Sequence, residues 1–125
     1  MMLMLLVSTN VFAVNWVEVG SGTFDSISYV DSESIRKDGN KIRAWILVDF
    51  NSVQVDDAKR YWSVLYRVEF DCFEGTSRMI DTYKYSEKMK YGDIVFSATN
   101  LTNPATSDIP GSIGEATLKV ACAKK

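Results

Sequence analysis

The chain has 125 residues, with 14 lysines and arginines, 16 aspartates and glutamates, two cysteines and no histidine. The net charge of -2 does not favour nucleic acid or an anionic membrane surface as a partner. The absence of histidine excludes a Ser-His-Asp triad and a Cys-His pair, and a structural zinc site needs four nitrogen or sulfur ligands. We therefore expect no catalytic residue, no metal and no cofactor.

The first 13 residues are apolar and uncharged, and they end in Val11-Phe12-Ala13. This pattern predicts a signal peptide that is cleaved after Ala13, which leaves one domain at residues 14–125. A basic region before the apolar run is missing, which is consistent with a start that lies upstream. A buried N-terminal strand is the alternative, because about 13 residues are too few for a transmembrane helix.

The only cysteines are Cys72 and Cys122. In an exported chain, a pair of cysteines usually forms a disulfide. The loop between them has about 50 residues, and closing it is worth roughly 4 kcal/mol in the chain-entropy account. Two independent buried thiols remain the alternative.

Six segments have the alternating pattern or the composition of strands, and short turns join most of them. Asp38-Gly39 and Phe73-Glu74-Gly75 carry the turn signals of hairpins. Residues 51–60 are expected to be a polar loop, residues 86–91 a basic connection and residues 99–111 an irregular loop. The expected strands are residues 14–19, 26–30, 41–50, 61–72, 76–85 and 94–98.

One amphipathic helix is predicted after Pro110-Gly111, with Ser112 as its N-cap. Glu115 completes a Ser-x-x-Glu capping box and should accept the Ser112 backbone N–H. Cys122 lies in the last turn, so a disulfide with Cys72 would tie the helix to the sheet. The fold class is α+β, a single antiparallel sheet of about six strands with a C-terminal helix packed on it.

Aromatic residues are interleaved with basic residues between residues 61 and 91, and tyrosine and arginine are favoured at protein interfaces. The functional interpretation is a partner-binding face, and the alternative is a solvated strand edge with half-buried tyrosines. The two candidate segments are Lys59-Arg60 and Tyr83–Tyr91, because each combines cations with aromatic residues next to a predicted strand end. The candidate binding residues are Lys59, Arg60, Tyr83, Lys84, Tyr85, Lys88, Lys90 and Tyr91.

Three weaker motifs are left open. Asp56-Asp57 has two carboxylates for calcium but lacks the spaced ligands of a calcium loop. Asn100-Leu101-Thr102 matches a glycosylation sequon, a pattern short enough to arise by chance. The predicted helix start at Ser112 has anion-binding potential, although ordinary capping explains it as well.

The order of several motifs resembles the surface-adhesin protein E family of Gram-negative bacteria. Pro110–Glu115 followed by Cys122 is the most specific of them. The other matching motifs are Trp16-Val17, Tyr29-Val30-Asp31, Ser34-Ile35-Arg36, Gly39, Trp45–Asp49, Tyr61–Ser63, Asp71-Cys72 and Tyr85-Ser86. The resemblance implies a small antiparallel sheet, a C-terminal helix and a disulfide. It also implies that some members lie on the cell surface and bind host matrix proteins such as vitronectin and laminin.

We therefore expect a non-enzymatic, exported protein of the periplasm or cell surface that binds host extracellular matrix proteins and can form a homodimer. A soluble periplasmic structural or accessory domain without a host ligand is the alternative, because the apolar run is followed by no lipoprotein cysteine. No nucleic acid partner and no transmembrane segment are expected.

Overall fold

The framework is an antiparallel sheet, seen in a computed structural model that describes residues 14–22 and 24–123. The predicted signal peptide at residues 1–13 lies outside the described residues. The sheet has eight strands. In chain order these are β1 (Trp16–Gly22), β2 (Ser26–Asp31), β3 (Arg36–Asp38), β4 (Lys41–Asp56), β5 (Lys59–Asp71), β6 (Thr76–Tyr85), β7 (Ile94–Ala98) and β8 (Thr106–Ser107), and one helix, α1 (Ile113–Ala123), follows them.

The strand order is β1-β2-β4-β5-β6-β7, with β3 paired to β4 and β8 paired to β6. The expectation of one antiparallel sheet with a C-terminal helix is confirmed, but the count of about six strands is too low. The two additional strands, β3 and β8, have three and two residues, which is too short for an alternating pattern to appear. The Asp38-Gly39 hairpin is confirmed, and Gly39 has the positive φ of 63° that such a turn needs.

The prediction of a polar loop at residues 51–60 is wrong. Strand β4 continues to Asp56, and β5 begins at Lys59, which pairs with Asp56. The turn between them consists of Asp57 and Ala58, both with positive φ. These two strand ends, which we call the hairpin arm (residues 51–60), are largely exposed on both faces. Because neither face is buried, the apolar alternation there is confined to Val53 and Val55, and both are exposed.

Helix α1 packs on one face of the sheet, the core face. Ala121 is fully buried there against a cluster that includes Val30, Ile46 and Phe70. The Cys72–Cys122 disulfide is formed, as predicted, and joins the end of α1 to the segment that follows β5. The alternative of two free thiols is thereby excluded. The opposite face of the sheet, which we call the open face, carries the odd-numbered side chains of β4 as far as Asp49, after which the register with β5 shifts.

The start of α1 differs from the prediction in one bond. The Ser112 hydroxyl accepts the Glu115 N–H at 3.2 Å, as expected for an N-cap. The Glu115 carboxylate accepts the Gly111 N–H at 3.2 Å, whereas the Ser112 N–H donates to the Ile109 carbonyl. Gly111 has a positive φ, and its N–H points towards the Glu115 carboxylate. The capping box therefore closes one residue earlier than predicted.

Candidate functional site

A groove of about 690 Å³ lies on the open face, between the β3 region and the segment that follows β6. Its floor includes Trp45 of β4 and Leu65 of β5, and Trp16 lies on one side. Such a volume is within the roughly 300–1,000 Å³ of typical ligand pockets. The groove is therefore large enough to receive several side chains of a partner.

Trp45 is held in a fixed orientation at the groove floor. Its ring centroid lies 6.1 Å from that of Tyr83, and the guanidinium of Arg67 lies 5.9 Å from the Trp45 centroid. The Trp45 backbone N–H donates to the Ser34 hydroxyl at 2.9 Å. An aromatic side chain fixed in this way loses little conformational entropy when a partner packs on it.

The turn between β2 and β3 forms the rim of the groove. The Asp31 carboxylate accepts the N–H groups of Asn15 at 3.0 Å and Glu33 at 3.1 Å. Asp31 therefore caps the short 3₁₀ turn Ser32–Ser34. The Ser34 hydroxyl donates to the Asp31 carbonyl at 2.7 Å, which connects this rim to Trp45.

Charged side chains surround the groove, five of them basic and three acidic. Arg43 is engaged within the fold, because its Nη2 lies 2.9 Å from Asp38 and 3.1 Å from Glu69. Lys37 and Lys90 differ: neither ammonium group forms an ion pair with another residue in the part of the chain that the structure describes. These two lysines can therefore meet an external anion at little cost to the fold.

Two of the sequence-predicted cations are used inside the molecule. The Lys84 ammonium ion pairs with Asp56 and lies 4.8 Å from the Tyr61 centroid and 5.0 Å from that of Phe96. The Lys88 ammonium donates to the Phe50 carbonyl at 2.6 Å and lies 3.2 Å from the buried carboxylate of Asp49. Lys84 therefore connects β6 to the hairpin arm near its turn, and Lys88 connects the segment after β6 to the base of the arm.

The connection at residues 86–91 is folded against the sheet. The Met89 N–H donates to Asp49 Oδ1 at 2.7 Å, and the Lys90 N–H donates to Ser63 Oγ at 3.0 Å. Ser63 Oγ in turn donates to the Glu87 carbonyl at 2.7 Å. These bonds hold a backbone in which Met89 and Lys90 have φ of 55° and 68°. Lys90 is thereby placed at the groove.

The remaining predicted residues are spread over three places. Tyr83 packs against Trp45 beneath the groove, and Tyr85 is half-buried, so that burial raises the pKa of its phenol. Tyr91 is exposed beside the connection. Lys59 and Arg60 lie exposed on the hairpin arm. The structure therefore brings Lys90 to the groove, places Tyr83 against Trp45, which lines it, and leaves Lys59 and Arg60 apart from it.

Sequence reasoning missed most of the groove. Trp16, Arg36, Lys37, Trp45 and Arg67 line it but were not among the candidates. One signal was present: β4 carries Trp45 and Leu47 on the face opposite Ile46, although a single helix can cover only one face of a sheet. An aromatic residue on the second face, flanked by arginines, indicates a surface with a use beyond packing.

Within residues 14–22 and 24–123, no three side chains of cysteine, aspartate or glutamate are grouped so that they could hold a metal ion. Asp56, one of the two carboxylates considered above as calcium ligands, forms an ion pair with Lys84. None of the helices that the structure describes is both long and apolar enough to cross a membrane.

Three solved structures of Haemophilus influenzae protein E share this architecture. One aligns at a TM-score of 0.63 with 18% identity, over 90% of this chain and 88% of that chain. A second crystal form aligns at a TM-score of 0.60 with 19% identity, over 77% and 80% of the two chains. Protein E from a non-typeable strain aligns at 0.55 with 16% identity, over 93% and 79%. These likenesses establish the fold.

No curated protein sequence matches the chain. The sequence profile of one family does match, over residues 16–123, which include the disulfide, α1 and every residue that lines the groove except Val14. The chain therefore belongs to the surface-adhesin protein E family.

Proposed function

We propose that this protein is a non-enzymatic binding protein of the bacterial envelope, displayed as an adhesin, with host extracellular matrix proteins such as vitronectin or laminin as partners. One observation carries the proposal: a chain of a surface-adhesin family has an open face whose groove presents aromatic rings and lysines that the fold does not use. Export through cleavage of residues 1–13, a mature chain that starts at Val14, and a homodimer belong to the same proposal.

The proposed contact surface includes the exposed members of the predicted set. Lys59 and Arg60 on the hairpin arm, together with Lys90 and Tyr91 beside β6, are accessible to a partner. Lys88 is also exposed but is engaged by Phe50 and Asp49, and Tyr83, Lys84 and Tyr85 are half-buried in β6. Because exposed charges steer association and salt screens them, raising the ionic strength should slow the encounter.

A solid-phase or optical assay with the exported protein and immobilised vitronectin or laminin tests this function. Two double variants, Lys59→Ala/Arg60→Ala and Lys90→Ala/Tyr91→Ala, compare the two ends of the surface without removing an internal ion pair. The expected result is binding by the parent protein and weaker binding by at least one variant. Unchanged binding by both variants would contradict this choice of surface.

Protease treatment of intact cells gives the location. Digestion of the protein on whole cells would support surface display. Protection on whole cells, together with no measurable binding by the folded parent protein, would favour a soluble periplasmic accessory domain instead.

A further inference from the structure

We infer that the groove binds an extended, acidic peptide segment of a protein partner. This inference rests on the proposed binding function and adds the chemistry of the ligand. The groove is locally basic, because five basic and three acidic side chains line it, although the whole chain has a net charge of -2. A local excess of cations on an acidic protein attracts anions to that place, and peptides supply anions as carboxylates.

The free cations lie at more than one point around the groove. Lys37 belongs to β3, and Lys90 belongs to the connection after β6. Arg67 lies over the Trp45 ring, its one ion pair among the described residues is a long contact with Asp81 at 3.7 Å, and its side chain remains 39% exposed. Anionic groups that are spaced along a chain suit this arrangement better than a single small anion does.

The groove also has an apolar component. Trp45 and Leu65 form the floor, and Trp16 lines one side. A peptide whose carboxylates alternate with apolar side chains can satisfy both the lysines and the rings, because successive side chains of an extended chain point in opposite directions.

The acidic side chains at the rim of the groove disfavour a densely charged polyanion as the ligand. The exposed Glu33 and Asp38 lie among the basic residues of the groove, whereas the third acidic residue, Asp31, is buried. Closely spaced sulfates of a glycosaminoglycan would meet these carboxylates as well as the lysines, whereas a peptide can place its few charges to avoid them.

A backbone edge is available to hold an extended peptide. Strand β3 pairs with β4 on one side, and its other edge has no strand partner within the described residues. Unpaired N–H and C=O groups along such an edge can bind a peptide as an added strand, while side-chain pockets give specificity.

The test uses the full exported protein and a fluorescein-labelled octapeptide that alternates glutamate with leucine. The comparison peptide replaces each glutamate with lysine. Fluorescence anisotropy should show saturable binding of the acidic peptide and none of the basic one. A heparin fragment of similar length is the third ligand. Binding of heparin more tightly than the acidic peptide, or equal binding of the two peptides, would overturn the inference.

Two charge-reversal variants locate the site. Lys37→Glu/Lys90→Glu reverses the charge of the two groove lysines that form no ion pair within the described residues, and Lys59→Glu/Arg60→Glu makes the same change of charge on the hairpin arm. We expect about a tenfold or greater loss of acidic-peptide affinity for the first variant and a change of about twofold or less for the second. The reverse pattern would overturn the inference.

Circular dichroism and the unfolding midpoint check that both variants are folded, which is expected because Lys37 and Lys90 have no ion pair within the described residues. Binding of vitronectin or laminin without binding of the acidic peptide would overturn the assignment of the groove and leave the proposed function standing.

Discussion

Lys88 and Lys90 are two residues apart but differ in what surrounds them. Lys88 reaches the Phe50 carbonyl, the Asn51 side chain and the buried Asp49 carboxylate. Lys90 lines the groove, and only its backbone N–H has a hydrogen bond among those of the described residues. The position of a cation in the sequence therefore does not show whether it serves the fold or a partner.

Replacing Lys88 with alanine should lower the free energy of unfolding by about 1–2 kcal/mol, because the buried Asp49 carboxylate loses its cation. Lys90→Ala is the matched control and should change that free energy by less than about 0.5 kcal/mol. Urea denaturation followed by tryptophan fluorescence measures both. Equal effects of the two substitutions would contradict the assignment of their roles.

Ala58 occupies a turn position that favours glycine. It has a φ of 62°, and Asp57 before it has a φ of 51°, so the Asp-Ala turn has the backbone in which Asp-Gly is preferred. We expect Ala58→Gly to raise the free energy of unfolding by about 0.5–1 kcal/mol, since the left-handed conformation costs about 1–2 kcal/mol with a Cβ.

The control for this change is Ala105→Gly, at an exposed position whose φ is not positive. It should bring no gain and a small loss, because glycine only adds freedom to the unfolded chain there. A gain of the same size at both positions would show that the turn geometry is not the cause.

The stability of α1 depends on the hydrogen bonds of its first turn. Ser112 and Glu115 satisfy N–H groups that would otherwise lack partners. Ser112→Ala should lower the free energy of unfolding by about 1 kcal/mol, and Glu115→Ala should lower it by less. Denaturation midpoints of the two variants and the parent protein measure this order. A larger loss for Glu115→Ala would contradict it.

The same cap should make the stability of the protein depend on pH. The Gly111 N–H, and after it Lys119, lower the pKa of Glu115 below its ordinary value of 4.5. The stability that Glu115 contributes is therefore present above pH 4.5 and is lost as the pH falls through the lowered pKa of the folded protein. Glu115→Gln should flatten this part of the stability profile. A parent profile and a Glu115→Gln profile that run parallel through this range would contradict the assignment.

The sequence allowed the elements with strong patterns to be predicted and missed those that depend on distant contacts. The alternation in β4 and β5, the Ser-x-x-Glu cap and the cysteine pair each follow from local chemistry. The hairpin arm could not be predicted, because its residues are exposed on both faces. The groove could not be predicted either, because β3 and residues 86–91 reach it only through the register of the sheet.

At the scale of the whole molecule, the Cys72–Cys122 disulfide spans 50 residues and joins α1 to the sheet. The double variant Cys72→Ser/Cys122→Ser should lower the free energy of unfolding by roughly 4 kcal/mol in the chain-entropy account. Denaturation of the variant, compared with the oxidised parent protein, measures the loss. A loss below about 1 kcal/mol would show that packing alone holds α1 in place.

We propose that the partner contacts the open face of the sheet and not α1. Amide hydrogen exchange of the exported protein, with and without bound vitronectin or laminin, distinguishes the two surfaces. Binding should slow exchange at residues 36–45 and 86–91 and leave α1 unchanged. Protection confined to α1 or to β7, with the groove residues unchanged in the bound state, would exclude the open face as the contact surface.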